Sequence, residues 1–249
     1  MAAGLTAARS DGASATESGD DFLLRERAAF LFGFWDVLPW FWINRPSAVL
    51  LAENKLRQLA LANAHGFRVP RTIVSNDAAA VRSFVAKQAS IVKPVSGGSF
   101  VESGRTYDIH TSPVTVADLT DGAAQSAPAI YQERIDRQFD LRVTVVGTRV
   151  FASRILLSKS DQARPDWRAA DPADVTYEQH RLPPSFEAAC IAFVRASGLV
   201  FGALDFIVTP DGDHVFLEIN PSGQWGWIED ATGARITEAI VDSLARGAA

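Results

Sequence analysis

The sequence predicts a mixed α+β fold assembled from antiparallel ribbons and short helices. Three observations carry that expectation. Residues 203–220 hold two apolar runs on either side of Pro210-Asp211-Gly212-Asp213, and Asp-Gly between such runs is a strong hairpin signal. Residues 139–146 and 150–157 repeat the pattern around Gly147-Thr148. Between residues 48 and 100, helical periodicity alternates with short β-branched runs, which is the signature of an α/β layer.

Composition narrows the class further. A chain of 249 residues makes one large domain or two small ones, with ample apolar residues for a core. The formal charge of −5 and the lack of a long basic run exclude a general nucleic-acid binder. The single cysteine, Cys190, excludes an internal disulfide framework and fits a reducing cytoplasm. Residues 28–43 come nearest to a membrane span, but Asp36 and Pro39 interrupt a run already too short to cross, so no membrane association is expected. No secretory signal opens the chain.

Taken in order, residues 1–20 are rich in Ala, Ser, Gly and Asp without apolar periodicity and are expected to be disordered. Residues 21–46 read as a helix followed by a short strand at 41–44, stopped before Pro46. Trp35, Trp40 and Trp42 read as packing residues, since no basic groups interleave with them. A helix over 48–64 sets Leu56, Leu59, Ala60 and Asn63 along one side, carries Lys55 in its first half and stops at Gly66. A strand at 71–74 leads through the cap Ser75-Asn76-Asp77 into a helix ending near Lys87. Residues 90–93 form a strand, followed by the turn Ser96-Gly97-Gly98-Ser99 and a return strand near Phe100. A strand at 129–133 precedes the ribbon at 139–157, in which Arg142 and Thr144 alternate with Leu141, Val143 and Val145. Residues 158–177 read as a long functional loop holding Lys159, Arg164, Asp166, Trp167 and Arg168. A helix from the Pro183-Pro184 boundary points Phe186, Cys190 and Phe193 inward and ends at Gly198. Ile236, Ile240 and Leu244 mark the last helix.

The hairpin at 203–220 carries the chemistry. Symmetric pairing about Asp211-Gly212 sets Leu204 against Ile219, Phe206 against Leu217 and Val208 against Val215, an apolar face. On the other face Asp205 meets Glu218, and Asn220 follows two residues on. Opposed carboxylates repel, so a cation belongs between them, and Mg²⁺ suits two carboxylates with an amide oxygen. Lys93 beside its glycine turn sets a cation near backbone N–H groups able to close over phosphate, although no Walker pattern is present. Together with Lys55 it complements a Mg²⁺ site, because Mg²⁺ completes its shell with substrate phosphates.

Lys55, Lys93 with its glycine loop, Tyr131-Gln132-Glu133-Arg134-Ile135, Asp140-Leu141-Arg142, and Asp205 with Glu218-Ile219-Asn220-Pro221 resemble the ATP-grasp ligases in order and spacing, from about Asn44 to the C-terminus. Trp42-Ile43-Asn44-Arg45-Pro46, Ala52-Glu53-Asn54-Lys55, Val69-Pro70-Arg71-Thr72, Ser75-Asn76 and Asp166-Trp167-Arg168 are similar to the graspetide, or microviridin-type, ribosomal peptide maturases, with a more distant likeness to RimK-type glutamate ligases.

The resemblance implies an ATP-grasp fold of two α+β subdomains clamping nucleotide, residues 47–130 and 131–249, with 21–46 a remnant of a largely absent N-terminal domain. It implies ATP and two Mg²⁺ ions as cofactors. Lys55, Lys93, Gly97, Gly98 and Ser99 would hold phosphates; Gln132, Glu133 and Ile135 would meet adenine and Asp140 the ribose. Asp205, Glu218 and Asn220 would bind metal, and Arg142 and Arg168 would face the γ-phosphate and the acyl-phosphate made from it. Arg154 ranks lower, because the turn at Gly147-Thr148 directs it to the face opposite Arg142. The implied partner is a ribosomal precursor peptide with leader and core, whose Asp or Glu side chains are activated and closed into ω-ester or ω-amide macrocycles. A RimK-like ligase of amino acids or small molecules, and a non-catalytic ATP-grasp protein that binds nucleotide or leader peptide, stay open as alternatives. Ala170 stands where the RimK-type pattern has Asn, which favours the peptide-maturase branch. A symmetric homodimer is the default assembly.

Overall fold

The computed structural model describes residues 19–96, 99–102, 105–109, 111–158, 167 and 170–247. The chain divides into two compact units, residues 1–39 and 40–249. The first contributes one helix, α1 (Gly19–Val37), whose first turn carries Asp20 and Asp21 where carboxylates complement the helix dipole. Along it Phe30 stacks on Phe34, one turn later, at 5.7 Å. Of the segment expected to be disordered, all but Gly19 and Asp20 lies outside the described residues, and those two open α1.

The second unit continues with α2 (Pro46–Ala52), α3 (Lys55–Ala64), β1 (Thr72–Ser75), α4 (Ala78–Val85), β2 (Ser90–Lys93), β3 (Ser99–Glu102), β4 (Arg105–Asp108), β5 (Ser112–Val114), α5 (Asp121–Ser126) and β6 (Ala129–Glu133). Then come β7 (Phe139–Val146), β8 (Arg149–Leu157), β9 (Val175–His180), α6 (Pro184–Ala196), β10 (Phe201–Val208), β11 (His214–Asn220), α7 (Gly226–Thr232) and α8 (Ile236–Gly247). A four-stranded sheet runs β1-β6-β2-β5, a five-stranded sheet runs β11-β10-β7-β8-β9, and β3 pairs with β4 alone.

Several expectations change. No strand forms at 41–44; Asn44 is held there by its side chain instead. Its Oδ1 accepts from the N–H groups of Val200 and Phe201, and its Nδ2 donates to Phe201 O and Pro221 O. One carboxamide thereby fixes both the start of β10 and the exit from β11. The single helix expected over 48–64 is two, broken where Asn54 caps α3 by accepting from Arg57 N at 3.0 Å. That break turns a different face inward. Gln58 and Ala62 are buried, whereas Leu56, Ala60 and Asn63 are exposed. The return strand near Phe100 pairs with β4 rather than β2, whose partners are β6 and β5. The last residues of the expected loop at 158–177, from Val175 on, belong to edge strand β9.

The hairpin register holds at its functional end and shifts near its turn. Asp205 pairs with Glu218 and Leu204 with Ile219, but Phe206 pairs with Phe216 and Val208 with His214. Thr209 N donates to Asp213 O, enclosing a three-residue loop, Pro210-Asp211-Gly212, with Gly212 at φ +86°. That longer loop displaces the register by one, and a bulge between Phe206 and Asp205, where Leu217 is the extra residue, restores it.

One face of the five-stranded sheet packs Leu141, Val143, Leu204, Phe206, Phe216 and Ile219 against Cys190, Phe193 and Val194 of α6, with Phe67 at the centre of an aromatic cluster. Burial pushes the Cys190 thiol up to about 12, with Glu187 adding to it, so this sulfur is an inert core group. The opposite face carries the polar residues.

Candidate nucleotide and metal site

That opposite face is organised by register. Glu218 faces Asp205, Asp205 faces Arg142, Arg142 faces Ser153 and Ser153 faces Gln179, so one polar row crosses all five strands. Side chains alternate along a strand, which brings Asn220 and Asp140 to the same face. Asn220 stands opposite Ala203, and Asp140 is two residues from Arg142 on β7.

The middle of the row is closed to solvent. Asp205 is 7% and Arg142 5% exposed. Arg142 Nε lies 3.0 Å from Asp205 Oδ1, an ion pair out of line for a hydrogen bond, and its Nη1 has no hydrogen-bond partner. Ser153 Oγ beside it is buried and equally without one. Buried polar groups normally find partners, so these donors could serve an anionic ligand. The Trp227 ring of α7 lies 5.7 Å from the guanidinium carbon of Arg142 and packs on Tyr177 and Trp167 at 4.9 and 5.4 Å. This cation–π contact holds the planar group in one orientation. Arg154, on the other face, is committed to Glu178 through an Nε–Oε2 bond of 2.7 Å.

Next to the acidic end of the row is a cavity of about 510 Å³ lined by Glu53, Asn54, Lys55, Gln58, Ser96, Glu218 and Asn220, among others. Lys55 enters it from the first residue of α3. Lys93 ends β2 and is 8% exposed; burial pulls its ammonium down to about 8, with Glu218 opposing the fall and Lys55 adding to it. Two lysines and the acidic hairpin therefore share one electrostatic environment. Two carboxylates and an amide oxygen on one face suit Mg²⁺, which takes one or two carboxylates and fills its shell with phosphate and water. Asn220 Oδ1 accepts from Ser222 N at 2.9 Å and keeps a second lone pair. Among the described residues no group of three or more His, Cys, Asp or Glu is placed to hold a metal unaided.

The residues expected at adenine and ribose do not line this cavity. Gln132 is fully buried on β6, donating from Nε2 to Thr72 Oγ1 at 2.9 Å, and its Oε1 has no partner. Burial would raise the Glu133 carboxyl, but hydrogen bonds from the Arg71 side chain and N–H, with the Arg71 charge, hold it below the usual carboxylate range. Ile135 is half-buried in the connection to β7, and Asp140 pairs with Arg137 at 2.7 Å. Ser99 opens β3; Gly97, Gly98 and Arg168 lie outside the described residues.

Reading the residues in sequence missed four contributors: Asn44, Gln58, Gly223 and Trp227. Asn44 and Gln58 carried no local signal for these roles, since they bind backbone 157 and 161 positions away. A Cβ on Gly223 would lie 2.7 Å from Ala203 Cβ and 3.4 Å from Arg142 Nη1, so only glycine lets this loop approach the row.

Two antiparallel sheets with their helices, Lys55 on one cavity with the acidic hairpin and Lys93 within the electrostatic reach of Glu218, make an ATP-grasp architecture. Residues 52–244 match the RimK-like ATP-grasp domain family. An ATP-grasp ligase associated with ribosomal peptide modification from Chryseobacterium gregarium, solved with ADP and a leader and core peptide, is 28% identical with a TM-score of 0.81, covering 90% of this chain and 69% of that one. The macrocyclase MdnC of Microcystis aeruginosa MRC, bound with precursor peptide MdnA, is 30% identical with a TM-score of 0.80, covering 95% of this chain and 75% of that one. The ATP-grasp ligase PsnB, complexed with a phosphomimetic variant of a minimal precursor, Mg and ADP, is 25% identical with a TM-score of 0.76, covering 92% and 70%. No curated protein matches the chain. The chain belongs to the RimK-like ATP-grasp family and is an ADP-forming ATP-grasp ligase of the type that modifies ribosomal peptides.

Proposed function

We propose that this ligase activates Asp or Glu side chains of a ribosomal precursor peptide and closes them into ω-ester or ω-amide macrocycles. The observation that carries the reading is that Glu218 and Asn220 line one cavity with Lys55, while Asp205 and Arg142 continue the polar row from Glu218. It brings a carboxylate, an amide oxygen and an ammonium to one phosphate-sized space. Relatives solved with leader, core or precursor peptide support the peptide as substrate.

In this reading Lys55 and Lys93 hold the ATP phosphates, Gln132, Glu133 and Ile135 meet adenine, and Asp140 meets the ribose. Asp205, Glu218 and Asn220 would hold two Mg²⁺ ions, which would supply charge neutralisation at the phosphates. A carboxylate oxygen of the peptide attacks the γ-phosphorus and ADP leaves. Arg142 and Arg168 balance the charge spread over the transferred oxygens and keep the acyl-phosphate oriented. A Ser or Thr hydroxyl, or a Lys amine, of the same peptide then attacks the acyl carbon, phosphate departs and the nucleophile's proton is lost. The reaction takes place in the cytoplasm, in keeping with one buried free cysteine and with no described helix long and apolar enough to cross a membrane.

The test is to incubate the protein with Mg²⁺, ATP and a candidate precursor peptide whose core is rich in Thr, Ser or Lys and in Asp or Glu, sought in a short open reading frame beside the gene. Loss of one water mass per linkage supports the reading. An unchanged peptide mass alongside tight Mg-ATP binding overturns it in favour of a nucleotide- or leader-binding helper. Replacing Glu218 with Gln removes one metal charge and is expected to lower turnover by about 10²-fold or more.

A further inference from the structure

Gln58 is a buried amide inside α3, one turn after Lys55, and 5% exposed. Its carboxamide reads the backbone of a single residue on another element. Oε1 accepts from Ile219 N at 3.1 Å, and Nε2 donates to Ile219 O at 2.9 Å. Nε2 also donates to Ala52 O at 2.7 Å, at the end of α2. β11 is an outer strand of the five-stranded sheet, so Ile219 presents its N–H and C=O on the edge away from β10. Gln58 satisfies both as a neighbouring strand would.

The position of Ile219 gives this pairing its consequence. It is flanked by Glu218 and Asn220, and all three residues line the same cavity as Lys55 and Gln58. Fixing the two peptide groups of Ile219 fixes the directions in which Glu218 and Asn220 leave the strand. The same side chain is anchored to the helix that carries Lys55. A leucine would fill the space without holding either backbone group, and a buried amide is tolerated only when satisfied. We propose that Gln58 is a positioning residue that sets the spacing between the phosphate-binding Lys55 and the metal-binding pair Glu218 and Asn220. The inference rests on the Mg-nucleotide reading above.

The test uses the full chain, a fluorescent ADP analogue and Mg²⁺ alone as the metal. In Gln58→Met the Mg²⁺ concentration for half-maximal enhancement of nucleotide binding is expected to rise about tenfold, in line with outer-shell substitutions at metal sites. Affinity for the analogue without Mg²⁺ is expected to stay within about twofold, whereas a merely structural role would weaken both alike. Hydrogen exchange at the Ile219 amide is expected to accelerate by about tenfold or more, since its acceptor is gone. If Gln58→Met gives no cooperative melt, Gln58→Glu is read instead. It retains an acceptor for Ile219 N–H and loses the donors, and its added negative charge would by itself tighten Mg²⁺. Weaker Mg²⁺ dependence in Gln58→Glu then supports the role, and equal or tighter dependence overturns it. Wild-type protein that shows no Mg²⁺ enhancement overturns the nucleotide reading and this inference together. A wild-type Mg²⁺ dependence that Gln58→Met leaves unchanged overturns this inference alone.

Discussion

Arg142 and Asp205 face each other across β7 and β10 with Nε 3.0 Å from Oδ1, and both side chains are more than nine-tenths buried. A pair this deep contributes little net stability, because desolvation of two charges offsets their attraction. In the proposed reaction its value would be chemical: the guanidinium is held by Asp205 on one side and Trp227 on another, and Nη1 has no hydrogen-bond partner. Arg142→Lys keeps the charge but loses the planar fork and the stacking. Turnover with the precursor peptide is expected to fall by about 10²-fold or more, while affinity for fluorescent ADP changes only a few-fold. Comparing the rate of peptide mass change with nucleotide titration separates the two; equal losses in both would show Arg142 to be a general nucleotide contact.

Lys93 gives a prediction of opposite sign for stability and function. Burial lowers its pKa to about 8 from an ordinary 10.5, so between those values the unfolded chain binds more protons than the folded one. Stability contributed by the neutral amine is thus present above pH 10.5 and lost as pH falls through 10.5 toward 8. At pH 7 the folded protein carries a buried cation that nucleotide phosphates would compensate. Lys93→Met is expected to stabilise the nucleotide-free protein by about 1 kcal/mol or more, a melting-temperature rise of roughly 2–4 °C. The same variant should lose the thermal shift that Mg-ADP gives the wild type. A lower melting temperature without nucleotide would contradict the electrostatic argument.

How much of this was legible beforehand depended on the range of the interaction. Local signals located Asp205 opposite Glu218, the ribbon at 139–157 and the cap at Asp77, because turn chemistry and period-two alternation act within a few residues. The turn type was misjudged, yet the facing carboxylates were still paired correctly, since the three-residue loop and the Leu217 bulge cancel. Residues acting over long separations were not legible. Gln58 meets Ile219 across 161 positions, and Asn44 meets Phe201 across 157. Nothing near Gln58 in sequence distinguishes an amide that replaces a strand from one facing solvent. Strand β9 was hidden for a related reason: Tyr177 and Gln179 pack on α7 while Glu178 between them pairs with Arg154, which leaves no clean apolar alternation.

A pair of histidines on the far side of the sheet sets an acid limit. His180 is lowered by burial and then by the Arg154 charge; His214 is lowered by burial and then by His180, with Asp213 opposing. The ring of His214 lies tilted against Phe186 with centroids 4.4 Å apart, and its Nε2 is buried without a partner. Folded values below the ordinary 6.5 mean the unfolded state takes up protons first. The stability of the neutral rings is therefore present above 6.5 and lost as pH falls through 6.5 toward the folded values. Urea melts between pH 7.5 and 5.5 are expected to show a falling midpoint in the wild type. The double variant His180→Gln, His214→Gln should give a flatter profile, and parallel profiles would remove these two groups as the cause.

Gly223 tests whether the loop after the β10–β11 hairpin governs Arg142. Its Cβ would stand 2.7 Å from that of Ala203, which is 1% exposed in the middle of β10 and has nowhere to withdraw. In Gly223→Ala the loop must give, taking with it the chain that leads to Trp227 and its ring over the guanidinium. The substitution is expected to cost about 1–3 kcal/mol of stability, the usual range for overpacking. Because the conflict is between two methyl groups, Ala203→Gly should relieve it. The double variant should then be more stable than the sum of the single losses by about 1 kcal/mol or more. Denaturant melts of the four proteins measure that coupling, and fluorescent ADP binding in the same set should recover with it. Strictly additive losses would mean that the loop yields without touching Ala203, and that Trp227 keeps its place over Arg142 by other contacts.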